Sequence, residues 1–223
     1  MRSIRVFTLW SLAVLAIAAS TPSQALGTDL FTGHTSGRIM RTTPGGASTS
    51  LGPSFGYFIN MLTMDTDNQT LVALDSLSGA SPQKVIRIDT STGVILGTVY
   101  GGAPFTSVQS WLEVDQDGDY LVADKAQLFK VKRDGSGLTT LYQDPQGYFF
   151  SFTEDKGSGD WLIGDFTAKA IVRVDRGTMT RTTLIPIGAA PTGMMQDPQR
   201  PEIYISGGAT TFLAYHPGTH AVT

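Results

Sequence analysis

Residues 112–131 decide how this chain folds. They read Leu112-Glu113-Val114-Asp115, then Gln116-Asp117-Gly118-Asp119, then Tyr120-Leu121-Val122-Ala123-Asp124, and after a short turn Leu128-Phe129-Lys130-Val131. Apolar runs of four or five residues, broken by an Asp/Gly turn, are too short for helices and right for strands. Asp117-Gly118 supplies the backbone angles of a hairpin. Leu121-Val122-Ala123 is apolar on both faces, as in a strand packed between two layers. Lys130 interrupts the next run at one position, placing that strand nearer to water.

Working outward, the same succession returns. Upstream it is Leu62-Thr63-Met64-Asp65, a polar turn, Thr70-Leu71-Val72-Ala73-Leu74-Asp75, and Lys84-Val85-Ile86-Arg87-Ile88-Asp89. Downstream it is Phe152-Thr153-Glu154-Asp155, a turn, Trp161-Leu162-Ile163-Gly164-Asp165, and Ile171-Val172-Arg173-Val174-Asp175. Further on come Met194-Met195-Gln196-Asp197, Glu202-Ile203-Tyr204-Ile205-Ser206, and Phe212-Leu213-Ala214-Tyr215. A partial copy, Asp29-Leu30-Phe31-Thr32 with Arg38-Ile39-Met40-Arg41, lacks the first strand. Thr-rich fourth strands follow, as in residues 137–142 and 178–184. A period of roughly 40 to 50 residues is that of propeller blades. The longer first interval reflects a loop inserted over residues 76–83. No stretch beyond the N-terminal segment keeps a helical i, i+3, i+4, i+7 pattern. The expectation is an all-β fold, a β-propeller of four-stranded antiparallel blades. About five blades are expected, or an incomplete six- or seven-bladed ring.

Residues 1–25 read as a secretory signal peptide, with 26–223 as the single propeller domain. Arg2 and Arg5 precede the apolar stretch Phe7 to Ala19, and Ser23-Gln24-Ala25 offers small residues at a cleavage site. A secreted or periplasmic protein with no membrane association after cleavage is expected. With no cysteine, neither a disulfide nor a thiolate metal site exists. Sixteen basic residues against nineteen acidic, a net charge of −3, give no nucleic-acid footprint.

The run from Val114 to Asp124, the segment Ala190-Pro191-Thr192-Gly193-Met194, and Ile171-Val172-Arg173-Val174-Asp175 carry a resemblance. The pattern is Pro-x-Gly, short strand, Asp-x-x-Gly turn, apolar strand ending in Ala-Asp, then apolar-x-Arg. It resembles the NHL-type repeat and the streptogramin-lyase-like and SMP-30/gluconolactonase-like propellers. The lyase resemblance implies a metal-assisted site using histidine and glutamate near a central channel. This chain offers His34, His216 and His220. The lactonase resemblance implies a divalent metal on Glu, Asn and Asp. Asn60 precedes an inner strand, while a glutamate counterpart is missing.

Asp75, Asp124 and Asp165 recur where second strands end. Two readings stay open: a carboxylate ring holding a divalent cation such as calcium, or caps that accept backbone N–H bonds in the following loop. Recurrence in each copy favours the cap. Asp115, Asp117 and Asp119 alternate like calcium ligands, yet Gly118 precedes the third acid instead of following it, which favours a hairpin. Asn68-Gln69-Thr70 matches a glycosylation acceptor within a turn.

The connections into inner strands are rich in aromatics: Phe55, Tyr57 and Phe58; Phe105 and Trp111; Tyr148, Phe149, Phe150 and Phe152. Half of these are expected to pack between blades. The rest, with neighbouring polar groups, mark a ligand-binding face whose candidates are Asn60, Ser110, Trp111, Tyr148 and Phe150. No P-loop, HExxH or G-x-S-x-G element occurs. The leading expectation is an exported module binding a small molecule or a protein. The alternative is a metal-dependent lactonase- or lyase-like enzyme with its site in the channel. Self-association is expected if the ring is incomplete.

Overall fold

The computed structural model describes residues 29–33, 38–54, 58–65, 69–76, 84–101, 105, 111–196, 200–207, 211–219 and 221–223. The expected signal segment, Ser110, Asn68, His34 and His220 lie outside them, as do residues 77–83 of the inserted loop. Every element among the described residues is a β-strand. No helix there is long and apolar enough to cross a membrane. The chain divides into two compact units, residues 1–108 and 109–223.

The first unit holds two sheets. Strands β1 (Leu30–Gly33), β2 (Ile39–Thr42) and β3 (Ser48–Leu51) form a three-stranded sheet, the copy without a first strand. Strands β4 (Phe58–Asp65), β5 (Thr70–Ser76), β6 (Lys84–Asp89) and β7 (Ile95–Tyr100) form a four-stranded one. The second unit holds three sheets of four. These are β8 (Trp111–Val114) to β11 (Leu138–Gln143), β12 (Phe149–Glu154) to β15 (Arg181–Pro186), and β16 (Pro191–Gln196) to β19 (Ala221–Val222). Within them, β9 is Tyr120–Asp124, β10 Gln127–Val131, β13 Trp161–Asp165, β14 Ala170–Val174, β17 Ile203–Gly207 and β18 Thr211–His216. Each sheet is an antiparallel meander in chain order. The protein is all-β, and its five sheets are the blades of a β-propeller. We number them blades 1 to 5 along the chain.

The sequence dictates this locally. Second strands are buried on both faces because their letters are apolar on both: Tyr120–Asp124 and Trp161–Asp165 are buried throughout. Third strands are half-exposed at their polar interruption, Lys130 or Arg173, between buried apolar neighbours. Fourth strands such as Leu138–Gln143 stay largely at the surface. Gly118 takes φ +81° in the Asp117-Gly118 turn, a conformation that disfavours a β-carbon.

Burial between consecutive sheets makes the core. In the first unit, Phe31, Ile39 and Leu51 of blade 1 pack with Leu62, Leu71, Ala73, Ile86 and Ile88 of blade 2. In the second, Leu162, Ile171 and Ile185 of blade 4 pack with Met194, Ile203, Ile205 and Tyr215 of blade 5. Each fully buried aliphatic side chain contributes about 1.5–3 kcal/mol. One sheet alone hides only one of its faces, so the blades depend on their neighbours. Gly164 shows how close they come. A β-carbon there would lie 3.0 Å from Cβ of Pro191 in blade 5.

Candidate functional site

Inner strands share a feature that the sequence pattern does not announce. In β4 the pairing passes from Ile59↔Asp75 to Met61↔Leu74, which leaves Asn60 outside the ladder. In β12 it passes from Phe149↔Asp165 to Ser151↔Gly164, leaving out Phe150. In β16 it passes from Pro191↔Gly207 to Gly193↔Ser206, leaving out Thr192. These three β-bulges occupy one position of the repeat, because Leu62↔Ala73, Phe152↔Ile163 and Met194↔Ile205 are equivalent pairs. A bulge bends the strand and re-aims one side chain. Trp111 is equivalent to Met61 and Ser151, since Trp111↔Ala123 precedes Leu112↔Val122. The candidate Ser110, just before it in sequence, lies outside the described residues.

At the bulge of blade 4 three aromatic rings meet. Tyr148 and Phe150 lie edge to face with centroids 5.3 Å apart, and Phe166 stands 4.7 Å from Phe150 and 6.1 Å from Tyr148. Phe166 comes from the loop after β13, tied in by its N–H donating to the Tyr148 carbonyl at 2.7 Å. Phe166 remains 46% exposed, and Tyr148 and Phe150 are half-buried. A water-facing cluster of three rings offers apolar contact area with one phenolic hydroxyl, a composition enriched at recognition surfaces.

The other candidates are placed differently. Trp111 is only 6% exposed and Phe105, Phe149 and Phe152 are buried, which makes them packing residues. Phe149 stacks on Tyr142 at 6.0 Å. Burial and the nearby Asp144 and Asp165 carboxylates push the Tyr142 phenol upward, with Arg181 opposing. Asn60 is described by its backbone alone. The aromatic pair Tyr148 and Phe150 thus comes together, joined by Phe166, which the sequence reading did not select. Its only signal was its place directly after Asp165 in a loop on the same face.

Asp165 itself is fully buried and saturated. Its Oδ1 accepts the N–H groups of Thr167 at 2.8 Å and of Tyr148 and Ala168 at 3.2 Å. Its Oδ2 accepts from Arg181 at 2.6 Å, and Arg181 also pairs with Asp144. This carboxylate fixes the loop that carries Phe166 and the entry that carries Tyr148. Asp75 and Asp124 are likewise buried at the ends of β5 and β9, each with interactions of its own. Among the described residues no three His, Asp or Glu side chains converge to hold a metal. Asp165, with every oxygen occupied by protein donors, does not fit a cation ligand.

The opposite end of each blade carries the charges. Lys130 Nζ lies 2.7 Å from Asp115, 3.1 Å from Asp117 and 3.1 Å from Asp119. An ammonium therefore sits among the three alternating acids that resemble calcium ligands. Asp115 Oδ1 accepts the N–H groups of Asp117 and Asp119, both at 2.9 Å, which is a turn cap. Burial pushes Asp119 upward, but bonds from Lys132, the Arg133 N–H and Lys130 outweigh it and hold its carboxyl at about 2. In blade 4, Arg173 Nε donates to Asp160 at 2.6 Å. Nearby, Arg176 pairs with Glu154 at 2.5 Å and lies 5.2 Å above the Trp161 ring. Burial raises the Glu154 carboxyl, with Arg176 opposing.

The sequence matches no known protein family and no curated protein. The fold, in contrast, matches solved propellers. A structure of the nidogen/laminin complex superimposes with a TM-score of 0.63 at 12% identity, covering 84% of this chain and 74% of that one. Virginiamycin B lyase from Staphylococcus aureus gives 0.61 at 12% identity, covering 91% and 71%. An auxiliary nutrient binding protein from Bacteroides thetaiotaomicron gives 0.55 at 14%, covering 85% of this chain and 55% of that chain. At such identities the likeness is one of fold. It shows a β-propeller fold, shared with the nidogen/laminin and virginiamycin B lyase structures.

Proposed function

We propose that this chain is an exported binding module that holds its ligand on the face formed by inner-strand entries and second-to-third-strand loops. The observation that carries this is the exposed triad of Tyr148, Phe150 and Phe166, held by a saturated Asp165. Rigid rings with two rotatable bonds each provide contact area at low entropic cost. The bulge at Phe150 gives that residue freedom from the ladder while the loop bond from Phe166 fixes the partner ring. Structural neighbours include a protein seen in a complex with laminin and a nutrient-binding protein, both consistent with a propeller used for recognition. The N-terminal segment of residues 1–25 supports export. The lyase-like alternative lacks a comparable observation. The one described histidine, His216, lies at the end of β18, against Glu202 at 3.6 Å.

The test uses the mature chain and its Phe150→Ala/Phe166→Ala double variant. Both are titrated with cellohexaose, with quinupristin and with immobilised laminin, so that sugar, cyclic peptide and protein are separate arms. At least one probe is expected to bind the wild type, and the variant should lose about tenfold in affinity, ~1.4 kcal/mol, with an unchanged circular dichroism spectrum. Binding of no probe, or equal binding by both proteins, overturns the proposal. Turnover of quinupristin would replace it with the lyase-like reading.

A further inference from the structure

One peptide group ties together the loops that carry the ring triad. The Phe149 N–H donates to the Lys125 carbonyl at 2.6 Å, and the Tyr148 carbonyl of that same peptide accepts from the Phe166 N–H at 2.7 Å. The β9–β10 turn of blade 3 and the β13–β14 turn of blade 4 are thus held one peptide apart. Phe166 opens a four-residue turn that Lys169 closes, with the Lys169 N–H donating to the Phe166 carbonyl at 3.3 Å. The backbone order across this surface is therefore Lys125, the Tyr148–Phe149 peptide, Phe166, Lys169. A basic residue stands on each side of the aromatic centre. All of these residues belong to the second unit.

Both lysines are exposed, and among the described residues neither has a carboxylate within ion-pair distance. The acids of the same loops are engaged elsewhere. Asp144 and Asp165 are held by Arg181, and Asp124 is buried with an interaction of its own. Both lysines also hold a left-handed backbone, each with φ +52°. Lys125 is the first residue of the two-residue turn between Asp124 and Gln127, a position that favours glycine. Four non-glycine residues have positive φ among the described residues, and two of them flank this one triad. A left-handed backbone that suits glycine, occupied by a charged side chain on both flanks, argues for a use of that charge.

With Phe166 46% exposed and both lysines exposed, the surface is open, whereas small-molecule sites enclose most of their ligand. An open apolar centre with a cation on either side fits a length of chain better than a compact ligand. We infer that the triad takes an apolar side chain from a protein partner, while acidic residues flanking that side chain meet Lys125 and Lys169. The partner segment is acidic, apolar and acidic in order, which complements this surface in charge as well as in polarity. This inference rests on the triad as the binding surface and adds the chemistry of what it binds.

The probes are the blocked peptide Glu-Gly-Trp-Gly-Glu and its neutral twin Gln-Gly-Trp-Gly-Gln, titrated calorimetrically into the full mature chain. The acidic peptide is expected to bind about tenfold more tightly at low ionic strength. That preference should vanish in about 1 M salt, where charge acts over only about 3 Å. The variant Lys125→Asn/Lys169→Asn is neutral and tolerates left-handed turns. It should abolish the preference, keep the neutral peptide's affinity and unfold at no lower a temperature. Equal affinity of the two peptides for wild type, a preference that survives the lysine substitutions or high salt, or no binding of either peptide overturns the inference. So does tighter binding of hexagalacturonate, an acidic sugar, than of the acidic peptide. The Phe150→Ala/Phe166→Ala variant separates the two readings. If it weakens both peptides while wild type shows no acidic preference, the acidic partner falls and the ring surface stands.

Discussion

The two ends of blade 4 make opposite use of the same backbone. At the end where β12 finishes and β13 begins, Asp155, Asp160, Arg173, Glu154 and Arg176 form a closed set of bonds. At the other end, Asp165 and Arg181 close off the charge while Tyr148, Phe150 and Phe166 are left facing water. The buried carboxylates Asp160 and Asp165 at the two ends are satisfied by protein donors, which is what a structural role requires. The three rings keep surface exposed to water. The comparison teaches that repeated charge in a propeller belongs to the repeat, whereas the ring cluster is not repeated and is the surface that the proposed binding role uses.

Three experiments sharpen that contrast. The largest effect is expected from Arg181→Ala, which strips the charge partner from the fully buried Asp165 and from Asp144. Loss of about 3 kcal/mol in urea unfolding is expected, because a buried carboxylate without its partner is strongly destabilising. A loss below about 1 kcal/mol would show the loop to be anchored otherwise.

A smaller effect, present near neutral pH and lost in acid, is expected from Asp119. Its folded pKa lies near 2, below the ordinary 3.8. Its contribution is therefore present above pH 4 and drains away as pH falls from about 4 toward 2. Wild type should exceed Asp119→Asn in stability at pH 6, and the gap should narrow over that window in thermal melts. A gap that stays constant to pH 2 would remove Lys130 and Lys132 as the cause.

The smallest effect is expected from Phe166→Ala, within about 0.5 kcal/mol of wild type, as for exposed positions generally. Differential scanning calorimetry checks it. A loss above 2 kcal/mol would mean that the ring belongs to the core rather than to a recognition surface.

Much of the architecture was legible because each blade repeats the same letters. The run Tyr120-Leu121-Val122-Ala123 announces a strand buried on both sides, and Lys130 announces the one that is not. The candidate site was legible only as a face. Asn60, Ser110 and Phe150 share no chemistry, so no residue pattern flags the bulge that puts Asn60 and Phe150 in one position. Register had to be seen. The same holds for the charged pairs, because Arg173 meets Asp160 across a hairpin, thirteen residues apart in sequence. Likewise Asp165 reads as a local cap, while its stronger partner Arg181 arrives from two strands further on.

The bulges at Asn60, Phe150 and Thr192 have a consequence for how such a protein changes. A residue outside the ladder contributes no cross-strand partner, so its replacement leaves strand alignment untouched. Blades 2, 4 and 5 therefore each own one slot whose occupant varies without disturbing its neighbours. A propeller of this kind can acquire new specificities one slot at a time while its folding instructions stay the same.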